Sequence, residues 1–234
     1  MALIVPCLLA ADLAHLGGDL EMIQEAGVKR VHIDVCDGHF APGITVGLPV
    51  VARLRKATSL ELDVHLLVER PERFILDFIE AGADSIEAHP ESTSDFYRVL
   101  RLIKSEGKRA GASLGLATPI ETVSAVAQDL DFLSILSAEP GEAEQPYASH
   151  ATQKLSAVLQ ARRGWQAHFT VQVEGGIDGS RMQELAAAGA DVLVMGSEIF
   201  KHRDAKTHLK ELIHAASAMG KDIKQEILAG SNGV

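Results

Sequence analysis

Three short apolar segments carry side chains that are costly to bury. They are Val31–Phe40 (VHIDVCDGHF), Asp63–Leu66 (DVHL) and Val171–Gly176 (VQVEGG). Each reads as a buried strand bearing an imidazole or a carboxylate, and such groups are stable away from water only when paired or bound to a metal. His32 and Asp34 are two residues apart, and alternate residues of a strand point to the same side. Taken alone, that pair fits a His–Asp hydrogen bond inside a core as well as it fits a pair of ligands. His65 and Glu174 change the balance. Four such groups converging without a counter-cation leave unbalanced charge, which a divalent metal relieves. Two nitrogens and two oxygens suit Zn²⁺, Fe²⁺, Mn²⁺ or Co²⁺. Carboxylates in such a centre can also move protons.

The elements that must position these groups alternate along the chain. Strand-like runs are Leu3–Pro6, Arg30–Val35, Glu61–Leu66, Ser85–Ala88, Arg109–Leu114, Phe132–Ser137, Phe169–Val173 and Val192–Met195. Between them lie helical patterns, among them Gly18–Ala26, Pro71–Ala81, Ser94–Glu106, Ile120–Ala127, Ala151–Arg162 and Arg181–Ala188. Three helices run into Ala26-Gly27-Val28, Ala81-Gly82-Ala83-Asp84 and Ala188-Gly189-Ala190-Asp191, where glycine ends the helix before the next strand. Eight such βα units predict a (β/α)₈ barrel made of residues 1–234 as one domain. A doubly wound open sheet is the alternative, but it usually has a glycine-rich first turn, and Pro6–Asp12 has no glycine. The segment after Lys201 reads as one or two closing helices and a frayed tail, Ala229–Val234.

Chemistry in this barrel sits at the C-terminal ends of the strands, where Asp34, His65 and Glu174 fall. Gly175-Gly176 and Gly196-Ser197 follow strands 7 and 8, the place where backbone N–H groups of this fold cradle phosphate. The competing reading is that these glycines only serve tight turns. Asp37 reads as the cap of the turn after strand 2 and His39 as a loop residue; His89, at the end of strand 4, could face the pocket but reads first as a satisfied structural histidine. Cys7 and Cys36 read as small residues lining the pocket. Trp165 is assigned no role.

Composition bounds the function. Apolar residues make up 47% and charged residues 23% of the 234, which suits a soluble globular protein. The net charge of −10 and the lack of a basic stripe exclude nucleic acid as a partner class. Any phosphate must then be held by local geometry rather than by long-range attraction. Two cysteines and the lack of a signal-like start point to a reducing cytoplasm. No apolar run is long enough for a membrane span.

From Pro6 to Phe200 the chain resembles the ribulose-phosphate 3-epimerase family. The resemblance is carried by Pro6–Leu13, VHIDVCDGHFAP (Val31–Pro42), DVHL (Asp63–Leu66), RPER (Arg70–Arg73), Ala81–Asp84, Ala117-Thr118-Pro119, Val173–Gly176 and Met195–Phe200 (MGSEIF). It implies that His32, Asp34, His65 and Glu174 bind a divalent metal, with Asp34 and Glu174 as the two acid/base groups. It also implies that Cys7, His65, Gly141, Gly175, Gly176, Gly196 and Ser197 meet a ketose phosphate, and that the protein is a homo-oligomer. The implied reaction inverts C3 of D-ribulose 5-phosphate to give D-xylulose 5-phosphate. A different ketose, or a relative that binds metal without turnover, are the alternatives. An aldolase of the hexulose-phosphate synthase kind needs a lysine where strand 2 offers Cys36.

The chain departs from the family pattern around this site. The family carries Asp where this chain has Glu174, which moves the carboxylate by about 1.5 Å. A shift of that size can change rate on the order of 100-fold. Cys7 replaces a serine, and Cys36, Leu67 and Leu136 replace methionines. The loop after strand 6 reads Pro140-Gly141-Glu142-Ala143-Glu144-Gln145-Pro146-Tyr147 in place of a glycine- and phenylalanine-rich one. Glu142 and Glu144 would repel a phosphate unless they point to solvent. Glu174→Asp is therefore expected to preserve or raise turnover of ribulose 5-phosphate in a coupled assay. A large loss would mean that the site is built around Glu.

Overall fold

Val, Ile and Leu alternate along the strand-like runs with residues of another kind, and both sets are buried. The structure is a computed structural model and describes residues 2–141 and 145–230. Its eight strands are β1 (Leu3–Pro6), β2 (Arg30–Cys36), β3 (Glu61–Leu67), β4 (Ser85–Ala88), β5 (Arg109–Leu114), β6 (Phe132–Leu136), β7 (Thr170–Glu174) and β8 (Val192–Met195). All neighbours are parallel, in the order β1-β8-β7-β6-β5-β4-β3-β2. A parallel bridge between Cys7 and His32 joins the two ends of that order. The result is the expected (β/α)₈ barrel rather than an open sheet.

Helices α1 (Leu16–Glu25), α2 (Leu48–Ala57), α3 (Ile75–Ala81), α4 (Phe96–Ser105), α5 (His150–Gly164), α6 (Gly179–Ala188), α7 (Ser197–Phe200) and α8 (Ala205–Gly230) follow the strands. The outward-facing aliphatic residues of the strands, such as Ile33, Val64, Ile86, Leu133 and Val171, pack in one core with the helices. Gly27, Gly82 and Gly189, which end α1, α3 and α6, all have positive φ, as the repeated helix-to-strand phrase requires.

Three expectations are corrected. Ile120–Asp129, between β5 and β6, forms 3₁₀ turns rather than an α-helix. It follows Pro119 at ψ 143°, and a 3₁₀ rise of about 2.0 Å per residue spans the barrel with fewer residues than the α-helical rise of about 1.5 Å. Pro71–Ala81 is not one helix, because a 3₁₀ turn over Pro71–Arg73 precedes α3. Ala229 and Gly230, expected in the tail, belong to α8; residues 231–234 lie outside the described residues. Helix α2 is not among the helices that the sequence pattern predicts. Its Pro49 resembles a breaker, yet proline is tolerated in the first turn of a helix.

Leu133 is fully buried in the layer between barrel and helices. Leu133→Ala is expected to lower unfolding free energy by about 2–5 kcal/mol, read from urea denaturation. A loss well under that would show that the layer can collapse around the gap.

Candidate active site

Strand register brings the sequence-predicted groups together. His32 pairs with Asp63, and Asp34 with His65, across β2 and β3. Glu174 stands at the end of β7 beside Leu136 and Val194. His32 Nε2 lies 3.2 Å from Asp34 Oδ1 and 3.0 Å from Glu174 Oε2. His65 Nδ1 lies 3.2 Å from Asp34 Oδ1 and 3.4 Å from Glu174 Oε1. Each imidazole nitrogen thus faces two carboxylates. Glu174 reaches both rings and also accepts from Ser113 Oγ at 3.3 Å.

One ligand atom from each of His32, Asp34, His65 and Glu174 lies within 4.8 Å of all the others. Two imidazoles and two carboxylates form a donor set that fits a borderline-soft divalent metal. One N–H hydrogen cannot satisfy two carboxylates at once, whereas a single cation can. The cluster is therefore able to bind a metal.

Without a cation, protons balance the charge. Burial opposes a positive ring, but Glu174 and Asp34 outweigh it and hold His32 well above its ordinary value. Burial likewise opposes charge on His65, where Glu174, Glu87 and Asp34 raise the pKa to about 9. Burial works against ionisation of Asp34 too, yet His32 and His65 hold its carboxyl well below the usual carboxylate range. Burial and the Asp34 charge push the Cys7 thiol well up. The thiol therefore keeps its hydrogen and donates to Asp34 Oδ2 at 3.1 Å.

A second polar layer lies beneath the centre, and the sequence reading missed it. His32 Nδ1 faces Asp63 Oδ2 at 3.2 Å, and Asp63 also accepts from Ser85 Oγ. Glu87 is fully buried; its Oε1 accepts from Gln172 Nε2 at 3.1 Å, and Gln172 also donates to Ser134 Oγ. Glu87 Oε2 has no partner. Burial and the nearby Glu174 raise the Glu87 pKa to about 8, so at neutral pH it is an uncharged acid. His32, Asp63 and Glu87 also cluster closely, but a protonated Glu87 is a poor ligand. Asp63 instead orients His32 from outside, as outer carboxylates do for metal-ligating histidines. The available signal was alternation: Asp63, Ser85, Glu87, Ser134 and Gln172 occupy strand positions that point away from the helix layer.

The open cavity above the centre is lined by Cys7, Asp34, His65 and Glu174, by Gly175, Gly176, Gly196 and Ser197, and by Gly141, Leu67 and Leu136. All seven residues expected to meet substrate are present. His32 is buried beneath them. The described parts of the loop after β6, Ala138–Gly141 and Gln145, line the opening. A side chain at Gly141, φ +85, would strike Pro42 O and Ala41 Cβ from the loop after β2. One at Gly176, φ +60, would strike the backbone of Gln145 and Tyr147. Both glycines are thus required by close backbone approach. Glu142 and Glu144 lie outside the described residues. Glu139 lines the cavity, and no Lys or Arg does among the described residues. Asp37 caps its turn through the N–H groups of His39 and Phe40. His39 is exposed, and Cys36 is buried under the loop. Both cysteines are free. No described helix is long and apolar enough to cross a membrane.

Fold and centre together define the class: a (β/α)₈-barrel enzyme with a two-histidine, two-carboxylate centre at the C-terminal ends of its strands. Residues 3–200 match the ribulose-phosphate 3 epimerase family, and the chain belongs to that family, whose members are isomerases. Ribulose-phosphate 3-epimerase of Bacillus subtilis (strain 168) is 35% identical over 91% of this chain and 98% of that protein. The Escherichia coli (strain K12) protein of the same name is 38% identical over 90% and 94%. Among solved structures, 3-hexulose-6-phosphate synthase from Salmonella typhimurium superposes with a TM-score of 0.70, covering 94% of this chain and 100% of that one. At 16% identity, that likeness speaks for the fold alone.

Metal must displace the proton that His65 holds up to about pH 9. Affinity for Co²⁺ is expected to rise from pH 6.5 to 9, with protons released on binding at neutral pH. Titration against a competing chelator, with a dye to count protons, checks this. A flat affinity without proton release would mean that the cation binds elsewhere.

Proposed function

We propose that this protein epimerises a ketose phosphate at C3, interconverting D-ribulose 5-phosphate and D-xylulose 5-phosphate or a close analogue, in the cytoplasm and as a homo-oligomer. The observation that carries the reading is the pair of carboxylates. Asp34 and Glu174, from separate strands, face one cavity and share the same two imidazoles. Inverting a carbon requires a base on one face and an acid on the other.

In this mechanism Asp34 takes the C3 proton. Glu174 delivers a proton to the opposite face, and the two exchange roles in reverse. His32, Asp34, His65 and Glu174 would hold a divalent metal (Zn, Fe, Mn or Co), which would supply Lewis-acid chemistry beside the substrate oxygens. Asp63 holds His32, and Ser113 holds Glu174, in place. The Cys7 thiol hydrogen steadies Asp34. Backbone N–H groups at Gly175, Gly176, Gly196 and Ser197 take the phosphate without a Lys or Arg, with Gly141 covering the substrate from the β6 loop.

Exchange of the C3 proton in D₂O, followed by NMR with and without chelator, tests the reading. Chelator-sensitive exchange on ribulose 5-phosphate is expected. Glu139 on the cavity wall opposes a dianion beside it, so the panel includes unphosphorylated ketoses. Exchange on those alone would move the substrate class. Metal binding with no exchange on any compound would make this chain a non-catalytic relative. Asp34→Asn is expected to lower kcat about 10²–10⁴-fold, and near-unchanged turnover would remove Asp34 as the base.

A further inference from the structure

His65 has a second ring nitrogen, and its surroundings form a chain the mechanism above does not use. His89 follows β4 and is 1% exposed. Its ring stacks on His65, with centroids 5.1 Å apart and planes 20° apart, and meets Phe40 at 4.8 Å. His89 Nε2 lies 3.0 Å from His65 Nε2. His89 Nδ1 lies 3.4 Å from Glu91 Oε1, which also accepts from Thr118 Oγ1 at 2.5 Å. Lys154 Nζ donates to the carbonyls of Gly115 and Thr118, at 2.5 and 2.7 Å, and so pins the turn that carries Thr118.

The proton placement follows step by step. Two ring nitrogens 3.0 Å apart share one hydrogen. His65 Nδ1 faces Asp34 and Glu174, so a ring that ligates through Nδ1 carries its hydrogen on Nε2. A cation-free, doubly protonated ring carries one there too. In either state His65 Nε2–H donates and His89 Nε2 accepts. The hydrogen of neutral His89 is then on Nδ1, pointing at Glu91, and a carboxylate can only accept it. Burial works against ionisation of Glu91, but the bonds from His89 and Thr118 prevail and bring its carboxyl down to about 2. Donation runs in one direction, from the centre out to a carboxylate at the rim.

We propose that His89 and Glu91 are positioning residues that fix the Nε2–H tautomer and ring plane of His65, so that Nδ1 is presented to the cation. This rests on the reading that the four-residue cluster holds a cation. Asp63 orients His32 directly, whereas the partner of His65 is itself a histidine, and Glu91 sets its proton.

The test is Co²⁺ affinity of the purified protein, by competition with a chromophoric chelator, together with the visible d–d spectrum of the bound ion. His89→Leu removes the acceptor and is expected to weaken binding about 10–100-fold and to change the spectrum. His89→Gln keeps an acceptor oxygen and is expected to restore most of the affinity. Glu91→Ala, at a half-exposed rim position, is expected to weaken binding less than His89→Leu does. If His89→Leu does not fold, Glu91→Ala against Glu91→Gln carries the comparison. Unchanged affinity and spectrum in His89→Leu and Glu91→Ala would overturn the proposal. So would equal losses in His89→Leu and His89→Gln, which would make the ring mere packing. A wild-type protein that binds no Co²⁺ would overturn the cluster reading instead. The relay is then read directly from ¹⁵N shifts of the two rings, where His89 protonated on Nε2 would overturn it.

Discussion

Four carboxylates and two imidazoles share the interior of one barrel, and their charges must balance out of reach of water. Asp34, Asp63, Glu87 and Glu174 would repel one another strongly in that setting. In the cation-free protein His32 and His65 hold protons against their burial, and Glu87 holds its own. A divalent cation among four of these groups can take over the same balance. Much of the surrounding architecture follows from that need. Asp63, Ser113 and His89 each hold one of the groups from outside. Cys7 stays a thiol beside Asp34 because a second anion there would be costly.

The barrel makes this arrangement possible by separating two tasks. Outward-facing aliphatic residues form the layer that stabilises the fold. Inward positions of β2 to β7 are then free to be polar, because the strands supply each other's backbone hydrogen bonds and every inward side chain meets others from neighbouring strands. Parallel strands also point all their C-terminal ends one way, so groups far apart in sequence open onto one cavity.

The cavity differs from its floor. Its described lining holds no Lys or Arg, in keeping with the net charge of −10. At Gly141 and Gly176 the loop backbones approach one another closely. Gly141 in the β6 loop meets the loop after β2, and Gln145 and Tyr147 in the same loop meet Gly176 after β7.

Strand positions and the four centre residues were legible in the sequence because each is a local pattern. A short apolar run bounded by turns marks a strand, and a charged group inside it marks a site. Glycine after a helix marks the way into the next strand. Helix α2 was not legible, because Pro49 reads the same whether it starts a helix or breaks one. The 3₁₀ segment after Pro119 was hidden because apolar spacing does not reveal the length that must be spanned. Glu87, Gln172 and the Glu91–His89 relay were decided only by the tertiary structure. Glu87 and Gln172 meet across 85 positions, and His89 reaches His65 across 24. A hydrogen bond depends on distance and direction in space, which strand register and barrel closure set and which no local pattern encodes.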